Sequence, residues 1–489
     1  MLIIPFLPAS KDDVDRSQVR IYAGKLFDSV NLQLLENQVI TISPDSGLIL
    51  DVSSYSPKDR ITWDDPQVID LRHATVLPGL VDVHVHFFLH TYSETRWDDQ
   101  VSKESVVERT IRATVHAKRT LMAGYTAVRD LGTEGAGDAD IHLRKSMAGP
   151  SPIIPGPRYF TANRAIVATG SYGPKSAIHL NQEGIEGITG GEVVDGEVEC
   201  MKAVRRQIGA GADWIKVNHY HLCLLTTDAD EYRPRTRIGD VSYATPSVSI
   251  STFNEKELDA LVTTANRLGV KVAAHSSHWR TRLADKPNLP SGPGFHSIEH
   301  GAEIDFDEGT VAALCTESTD HRNTFWVPTL SVFYTQYGNG QGEVWKMAER
   351  NFAKALQYGI SNIACGGDTG PFPHGDNSLE MKLMVRLGAD WRKVLGWCTY
   401  GGWKCIRSMR WEGKEGAARL ARVGSLQEDQ RLVGDNEVPF GVIKRGFAAD
   451  IIATTGDLAG NFESAVDKSA ISFVMKAGKV FKREGKEVM

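Results

Sequence analysis

The central part of the chain repeats one unit, in which an amphipathic helix ends at a glycine and an apolar strand follows. In the first clear copy, Val107, Ile111, Val115 and Leu121 recur near helical spacing, Gly124 ends the helix, and segment 125–130 reads as a strand. The same unit recurs before the strand segments 214–217, 270–275 and 363–368. Alternating helices and apolar strands predict a parallel sheet. The length of this region favours a closed (β/α)8 barrel, or TIM barrel, over an open doubly wound sheet.

The two ends of the chain show short strands separated by turn residues. The N-terminal strand candidates are 19–24, 38–42 and 48–52, and the C-terminal ones are 440–443, 450–453 and 471–475. Because chain termini often lie close together in folded domains, we expect these strands to pair. The sequence therefore predicts an α/β protein of two domains, a small β-sandwich formed by residues 1–76 and 438–489 and a barrel formed by residues 77–437.

The composition is that of an ordinary globular protein. The chain has 489 residues, of which 41% are hydrophobic and 24% charged, and its formal net charge of -6 indicates neither a nucleic-acid partner nor a membrane surface. The apolar start 1–8 lacks a basic beginning and is broken by prolines, which is untypical of a signal peptide. Six cysteines without a Cys-x-x-Cys pair predict free thiols and a cytoplasmic location. They are Cys200, Cys223, Cys315, Cys365, Cys398 and Cys405.

The most specific polar pattern is segment 81–87, Val-Asp-Val-His-Val-His-Phe. Alternate side chains of a strand share a face, so Asp82, His84 and His86 point one way. Two imidazoles at this spacing near the carboxyl end of a strand can clamp Zn²⁺ or a similar ion, and Asp82 could orient one of the rings. For this motif alone, two histidines on a solvent-exposed strand face are an equal alternative.

Polar side chains also occur within or at the ends of later strands. Lys216 interrupts an apolar strand, where its ammonium group would lose hydration unless it is paired, or unless CO₂ converts it into a carbamate that can bridge two cations. For this lysine alone, extension of the side chain to the barrel rim or pairing with a carboxylate is the favoured alternative. His275, His300 and Asp368 end three further strands, and each alone is typical of a structural residue. Together they follow the His-x-His motif at the face where barrels build active sites, which predicts a functional site.

This set of residues resembles the amidohydrolase superfamily, in the branch that has two metal ions and a carboxylated lysine. Further matches point to a subgroup with ochratoxinase, Xaa-Pro and Xaa-Arg dipeptidases and imidazolonepropionase-like proteins, and they lie in 124–132, 210–217, 297–301, 367–377 and 444–451. The resemblance implies two divalent metal ions per chain, with Zn²⁺ favoured. It implies one ion held by His84, His86 and Asp368, a second held by His275 and His300, and Lys216, as N6-carboxylysine, bridging both.

The resemblance also implies a reaction. A hydroxide between the metal ions would attack an amide, peptide-like, cyclic amide or lactone bond of a small-molecule substrate, because bound metals lower the pKa of water to about 7. Asp368 would accept the proton and pass it to the leaving amine. The resemblance further suggests a homo-oligomer. The alternatives are a decarboxylase, a deaminase or a non-catalytic scaffold; Lys216 argues against a deaminase, and the complete ligand set argues against a scaffold.

The substrate side departs from the family pattern. Tyr172 stands where relatives often have a histidine, and the histidine expected directly after His275 is displaced to His278 or lost. His374 and Asn377 follow Asp368 in a loop expected to line the pocket, although turn chemistry is an equal reading. We predict that Tyr172, His278, His374 and Asn377 contact substrate. The long loop 218–250 has no assigned role, and Arg129 is predicted to form an ion pair at the rim of the barrel.

Overall fold

The computed structural model of the protein describes residues 18–149, 151–169, 172, 190–218, 252–279, 294–315, 324–426 and 435–488. The strands in chain order are β1 (Val19–Asp28), β2 (Gln33–Ser43), β3 (Leu48–Ser54), β4 (Val68–Pro78), β5 (Leu80–Val85), β6 (Tyr125–Asp130), β7 (Arg158–Thr161), β8 (Ile166–Ala168), β9 (Glu192–Val194), β10 (Trp214–Asn218), β11 (Lys271–Trp279), β12 (Ser297–Ile304), β13 (Phe325–Val327), β14 (Ile451–Thr454), β15 (Ile471–Lys476), β16 (Lys479–Arg483) and β17 (Lys486–Glu487). The helices are α1 (Trp97–Lys103), α2 (Val106–Met122), α3 (Ala139–Met147), α4 (Gly196–Ala210), α5 (Glu255–Arg267), α6 (Glu308–Cys315), α7 (Leu330–Gln336), α8 (Glu343–Gln357), α9 (Leu379–Arg386), α10 (Trp391–Trp397), α11 (Tyr400–Ile406), α12 (Gly413–Arg422) and α13 (Phe462–Ala465).

Strands from both ends of the chain form one sheet. Its order is β17-β16-β15-β14-β4-β1-β2-β3, and only the β1–β4 pair is parallel. The edge strand β3 bonds back to the segment before β14, since the Ile49 amide donates to the carbonyl of Phe447 over 2.9 Å. The sheet therefore curls around one apolar core. The predicted strand at 440–443 is wrong, because Gly441 turns the backbone with a φ of 79°.

The remaining strands are parallel and form two sheets, which makes this part of the protein α/β. One sheet has the order β13-β12-β11-β10-β8-β9 and the other β5-β6-β7. Segment 363–369 links them through two parallel bridges, Trp326–Ile363 and Val85–Thr369. A further bond joins the edge strand β7 to the residue before β10, since the Asp213 amide donates to the Thr161 carbonyl over 2.8 Å. Within the described ranges, no continuous ladder closes the strands into one sheet.

The predicted helix–glycine–strand units are present. Gly124, Gly211, Gly269 and Gly359 end α2, α4, α5 and α8 with positive φ angles, a conformation that glycine adopts without strain. Three of the four side chains that marked the first helix, however, do not face the core. Val107, Ile111 and Val115 are exposed by 64%, 61% and 42%, whereas Leu121 is buried on a face of α2 that otherwise carries small and polar residues. In the described part of the chain, no helix is long and apolar enough to cross a membrane.

The prediction of free thiols is wrong for two of the six cysteines. Cys365 and Cys398 form a buried disulfide, with Cα atoms 5.0 Å apart, between segment 363–369 and the end of α10. The fold brings these residues together across 33 positions of sequence, so no local spacing motif reveals the pair. Cys200, Cys315 and Cys405 are free, and Cys223 lies outside the described residues.

Two sets of largely buried ion pairs hold the parallel strands to their surroundings. Arg158 on β7 binds Asp450, next to β14, with Nε 2.6 Å from Oδ2, and joins the parallel strands to the terminal sheet. Lys271, at the start of β11, lies 2.5 Å from Glu412 Oε1, and Arg407 contacts the other oxygen at 2.9 Å. Burial raises the pKa of Glu412, but the two cations outweigh it and hold that pKa at about 2.

Candidate metal centre

His84 and His86 lie on one side of the backbone at the carboxyl end of β5. Their ring centroids are 5.3 Å apart, and both side chains are buried. The Nε2 atoms face the same carboxylate oxygen, Oδ1 of Asp368, at 3.5 and 3.3 Å. The Asp368 backbone is hydrogen-bonded to the same strand, since its amide donates to the His84 carbonyl over 2.8 Å. Two imidazoles and one carboxylate are therefore held together by neighbouring strand ends.

His275 and His300 approach this group from β11 and β12. Nε2 of His300 lies 3.0 Å from Nδ1 of His275, and the His300 ring centroid is 5.1 Å from that of His84. His84, His300 and Asp368 each offer a ligand atom, and these atoms lie within 4.8 Å of one another. Lys216 on β10 is buried and coupled electrostatically to the same three side chains. The structure thus brings the six predicted residues to one region.

The arrangement fits a metal ion. The Nε2 atom of His84 is buried and has no hydrogen-bond partner among the described residues, so its lone pair remains available. Burial lowers the pKa of His84 well below its usual value and that of His300 to about 4, and neutral imidazole is the form that binds metals. His86 differs, because burial lowers its pKa but Asp368 more than offsets this, to about 9. Imidazole nitrogen and carboxylate oxygen suit Zn²⁺ and several other divalent ions.

A buried ion pair orients His84. The Nδ1 atom of His84 lies 2.9 Å from Oε2 of Glu299, and the other oxygen of Glu299 accepts a 2.7 Å bond from Arg129. Arg129 also donates to the Val83 carbonyl and to the Ser297 hydroxyl. The side chains of Arg129 and Glu299 are fully buried. A carboxylate on Nδ1 keeps the proton there and leaves Nε2 free for a metal. Arg129 forms an ion pair as predicted, but in the interior rather than at the rim.

In His86 and His300, too, the ring nitrogen that faces away from the ligand group has a partner in the protein. Nδ1 of His86 donates to the Gly132 carbonyl over 2.8 Å, and Nδ1 of His300 lies 2.8 Å from the Thr329 hydroxyl. The backbones of His300, Thr329 and Asp368 have φ angles of 72°, 48° and 60°. Such left-handed conformations cost about 1–3 kcal/mol each for residues other than glycine, and they concentrate at functional sites.

Asp82 supports the backbone of the site and does not contact an imidazole ring. Its carboxylate accepts bonds from the amides of His84 and Gly367 at 3.0 and 3.3 Å, and from Asn377 Nδ2 at 2.7 Å. The amide oxygen of Asn377 in turn accepts from the Gly375 amide over 3.0 Å. Both ends of the Asn377 amide are thus occupied by protein groups, so its position suits support of Asp82 better than the predicted substrate contact.

The other residues predicted to contact substrate are His374, Tyr172 and His278. His374 donates from Nε2 to the Leu89 carbonyl over 2.9 Å and stacks on His116 at 4.2 Å between centroids, so the structure does not bring it to the ligand group. The Tyr172 hydroxyl donates to Glu134, a carboxylate beside His86. The side chain of His278 lies outside the described residues, as does most of the loop 218–250.

Sequence reasoning missed Glu299 and Glu134. Glu299 lies inside β12 directly before His300, and a charged side chain inside a parallel strand was the available signal. Glu134 lies in a glycine-rich turn after β6, and its sequence environment gives no comparable sign.

Comparison with known proteins agrees with this geometry. Residues 75–408 match the amidohydrolase family. An ochratoxinase of Aspergillus niger is 24% identical over 511 aligned residues, which cover 98% of this chain and 90% of that protein. A crystal structure of a Xaa-Pro dipeptidase with bound methionine in the active site is 26% identical, with a TM-score of 0.68 over 95% of this chain and 100% of the other. The structure of A. niger ochratoxinase, at 21% identity, has a TM-score of 0.67 over 96% of each chain. The family match spans more than half of the sequence, and the chain belongs to the amidohydrolase family, as a hydrolase of its ochratoxinase- and dipeptidase-like subgroup.

Proposed function

We propose that this hydrolase is metal-dependent and cleaves an amide or peptide-like bond of a small molecule at the carboxyl ends of its parallel strands. The observation that carries this proposal is the convergence of His84, His300 and Asp368, whose ligand atoms lie within 4.8 Å of one another in a buried site. We further propose that residues 77–437 close into a (β/α)8 barrel and that residues 1–76 and 438–489 form the β-sandwich domain. The bridges on both sides of segment 363–369 support the barrel.

The donor set supports two ions, for which Zn²⁺ is the favoured identity. One ion would be held by His84, His86 and Asp368, the other by His275 and His300, with Lys216 between them as N6-carboxylysine. Burial lowers the pKa of Lys216 to about 8, although Glu299 and Asp368 raise it. A lysine with this pKa is partly neutral at physiological pH, and the neutral amine is the form that reacts with CO₂.

When bound, metal ions of this kind lower the pKa of water to about 7 and polarise a carbonyl oxygen. The chain's own contribution to the proton transfers is Asp368. Burial raises the pKa of Asp368, but His84 and His86 more than offset this and hold that pKa below its usual range, so the carboxylate stays ionised. An ionised carboxylate can accept a proton from the attacking water and pass it to the leaving amine.

The test is a hydrolysis screen on Zn²⁺-loaded protein with N-acyl amino acids, dipeptides, cyclic amides and lactones. We expect turnover of at least one class, and a loss of about 10²–10⁴-fold in kcat for Asp368→Asn. The matched control is Asp376→Asn in the same loop, whose exposed carboxylate pairs with Lys468 and should leave kcat unchanged. Fully metal-loaded protein that hydrolyses no member of the panel would contradict the proposal, and release of CO₂ would indicate a decarboxylase.

The metal set has its own test. Elemental analysis should give about two ions per chain in the wild type and fewer in Lys216→Met. Protein prepared with ¹³C-labelled bicarbonate should show a carbamate carbon resonance that is absent from Lys216→Met. The homo-oligomer and the cytoplasmic location stay predictions, and the Cys365–Cys398 disulfide points away from a reducing compartment, where disulfides are rare.

A further inference from the structure

An apolar stripe runs along the outer face of α2. Val107, Ile111 and Val115 are exposed, as is Val106 beside them. The first three lie four positions apart, so they follow one ridge of the helix over about 12 Å. Elsewhere in the described part of the chain, exposed large apolar side chains occur singly along the sequence. Single exposed apolar residues are normal on a protein surface, whereas a continuous patch marks an interaction site.

The opposite face of α2 already holds the helix to its own chain. Ala113 and Ala117 pack in a core cluster with residues of β5 and β6, and Leu121 is buried as well. The helix therefore has two apolar faces, one in the interior and one in contact with solvent. A surface helix of a single chain normally has one such face, with polar residues opposite to it. The stripe on the outer face is thus suited to burial by a further partner.

The stripe is symmetric about its middle residue. Val107 and Val115 lie four positions before and after Ile111. If two α2 helices pack antiparallel about a twofold axis near Ile111, each Val107 lies beside the Val115 of the other copy. Ridges formed by every fourth residue pack against each other in the commonest class of helix pairs. The apolar positions therefore match a second copy of the same helix.

The polar rows beside the stripe are complementary to themselves. Glu108 and Arg112 form one row, with side chains exposed by 49% and 36% and an ion pair of 3.2 Å within the helix. In an antiparallel pair this row faces its own copy in reverse order, so each Glu108 comes next to the other copy's Arg112. The row on the other side has Thr110 and Thr114, which bring no like charges together. The partner that this surface fits is a second copy of the chain.

We propose that the outer face of α2 is the centre of a twofold symmetric interface between two copies of this protein, with Ile111 at the axis. The apolar ridge forms the core of the contact, and Glu108 and Arg112 form its polar rim, the arrangement typical of protein interfaces. Stable dimers bury about 1,200–2,000 Å² in total, so surfaces beside α2 complete the contact. The inference does not depend on the proposed hydrolase function, because no metal or substrate takes part in the interface.

Cysteine cross-linking tests the symmetry. A residue at a twofold axis meets its own copy, so Ile111→Cys should form a disulfide-linked dimer under mild oxidation with copper phenanthroline. Val107→Cys and Val115→Cys should cross-link efficiently only after the two variants are mixed and equilibrated, because each faces the other position. The matched control is Val198→Cys, an exposed valine on α4, and wild-type protein treated in the same way accounts for the native thiols.

Charge reversal gives a second test, read by sedimentation equilibrium. Glu108→Arg and Arg112→Glu should each raise the Kd of the dimer at least about tenfold, since each places like charges together. The double variant Glu108→Arg with Arg112→Glu should restore the dimer, because the charges are again complementary, and this rescue distinguishes a symmetric contact from a loss of folding. The inference is overturned by a wild type that stays monomeric at all concentrations. It is also overturned by an oligomer in which Ile111→Cys cross-links no more than Val198→Cys, since that oligomer uses another face. Neither readout requires hydrolysis of any substrate.

Discussion

Glu299→Gln tests whether a buried carboxylate sets the metal affinity of this site. The side chain lies between two groups, with Oε1 2.7 Å from Arg129 and Oε2 2.9 Å from His84 Nδ1, and it is fully buried. Glutamine keeps the shape of the side chain but removes its charge. His84 then loses the partner that fixes its proton on Nδ1, and Arg129 becomes a buried cation without an ionised partner.

Two effects of different size follow. Mutating the hydrogen-bond partner of a metal-binding histidine lowers metal affinity about 10- to 100-fold, which corresponds to roughly 1.4–2.8 kcal/mol. Breaking one side of a buried ion pair lowers the free energy of unfolding by about 3–5 kcal/mol. We therefore expect metal-free Glu299→Gln to unfold at lower denaturant concentration, and the folded variant to bind Zn²⁺ more weakly in a competition titration with a chelator.

The chain offers a matched control for the loss of stability. Asp450 forms an equally buried ion pair with Arg158, at 2.6 Å, between the parallel strands and the terminal sheet and away from the ligand group. Asp450→Asn should lower the free energy of unfolding by a similar amount and leave the affinity for Zn²⁺ unchanged. If Glu299→Gln lost stability but bound Zn²⁺ as tightly as the wild type, the argument that Glu299 orients His84 would be refuted.

Three further predictions concern packing, cross-linking and charge. In Gly366→Ala the new Cβ would lie 2.8 Å from Cβ of His84 and 2.9 Å from its amide nitrogen, so we expect weaker Zn²⁺ binding in the chelator titration, and unchanged binding would show that the strand can shift. Reducing the Cys365–Cys398 disulfide should lower the free energy of unfolding by about 3–4 kcal/mol, given its separation of 33 residues, and denatured oxidised protein should titrate two fewer thiols than reduced protein. Because the pKa of Glu412 falls from 4.5 to about 2 on folding, its contribution to stability is present above pH 4.5 and is lost as the pH falls towards 2, so an acid titration of Glu412→Gln should show a smaller loss than the wild type.

The helix–glycine–strand units and the ligand-candidate positions could be predicted from the sequence because each depends on local pattern. A helix that ends at Gly211 and a strand that begins at Trp214 are both encoded within a few residues. The His-x-His spacing places His84 and His86 on one side of β5 wherever that strand lies in the fold. Because successive parallel strands run in the same direction, His275, His300 and Asp368, which lie within or at the ends of later strands, are expected at the same face of the fold.

The supporting contacts could not be predicted in this way. Glu299 is 215 positions from His84, and Asn377 is 295 positions from Asp82. Each pair is set by which strands become neighbours. In addition, the sequence around Asp82 suggests that it orients an imidazole ring, and the sequence around Asn377 suggests a substrate contact. The helical spacing of Val107, Ile111 and Val115 did not predict the buried face of α2 for a related reason. Spacing identifies a helix but not which of its faces meets the core.

The charges around the site give a physical reason why it should attract cations. The carboxylates buried there include those of Asp82, Asp130, Glu134, Glu299 and Asp368, and Arg129 forms an ion pair with Glu299. Burial raises the pKa of Asp82 to about 7, so that side chain can reduce its charge by taking up a proton. Asp368 stays ionised between His84, whose pKa burial lowers, and His86, whose pKa Asp368 raises to about 9. Glu134 lies 4.0 Å from Nδ1 of the same His86 ring. Buried negative charge of this kind is stable only when positive charge comes to it. Asp368 is placed among ligand nitrogens, where a metal ion fits.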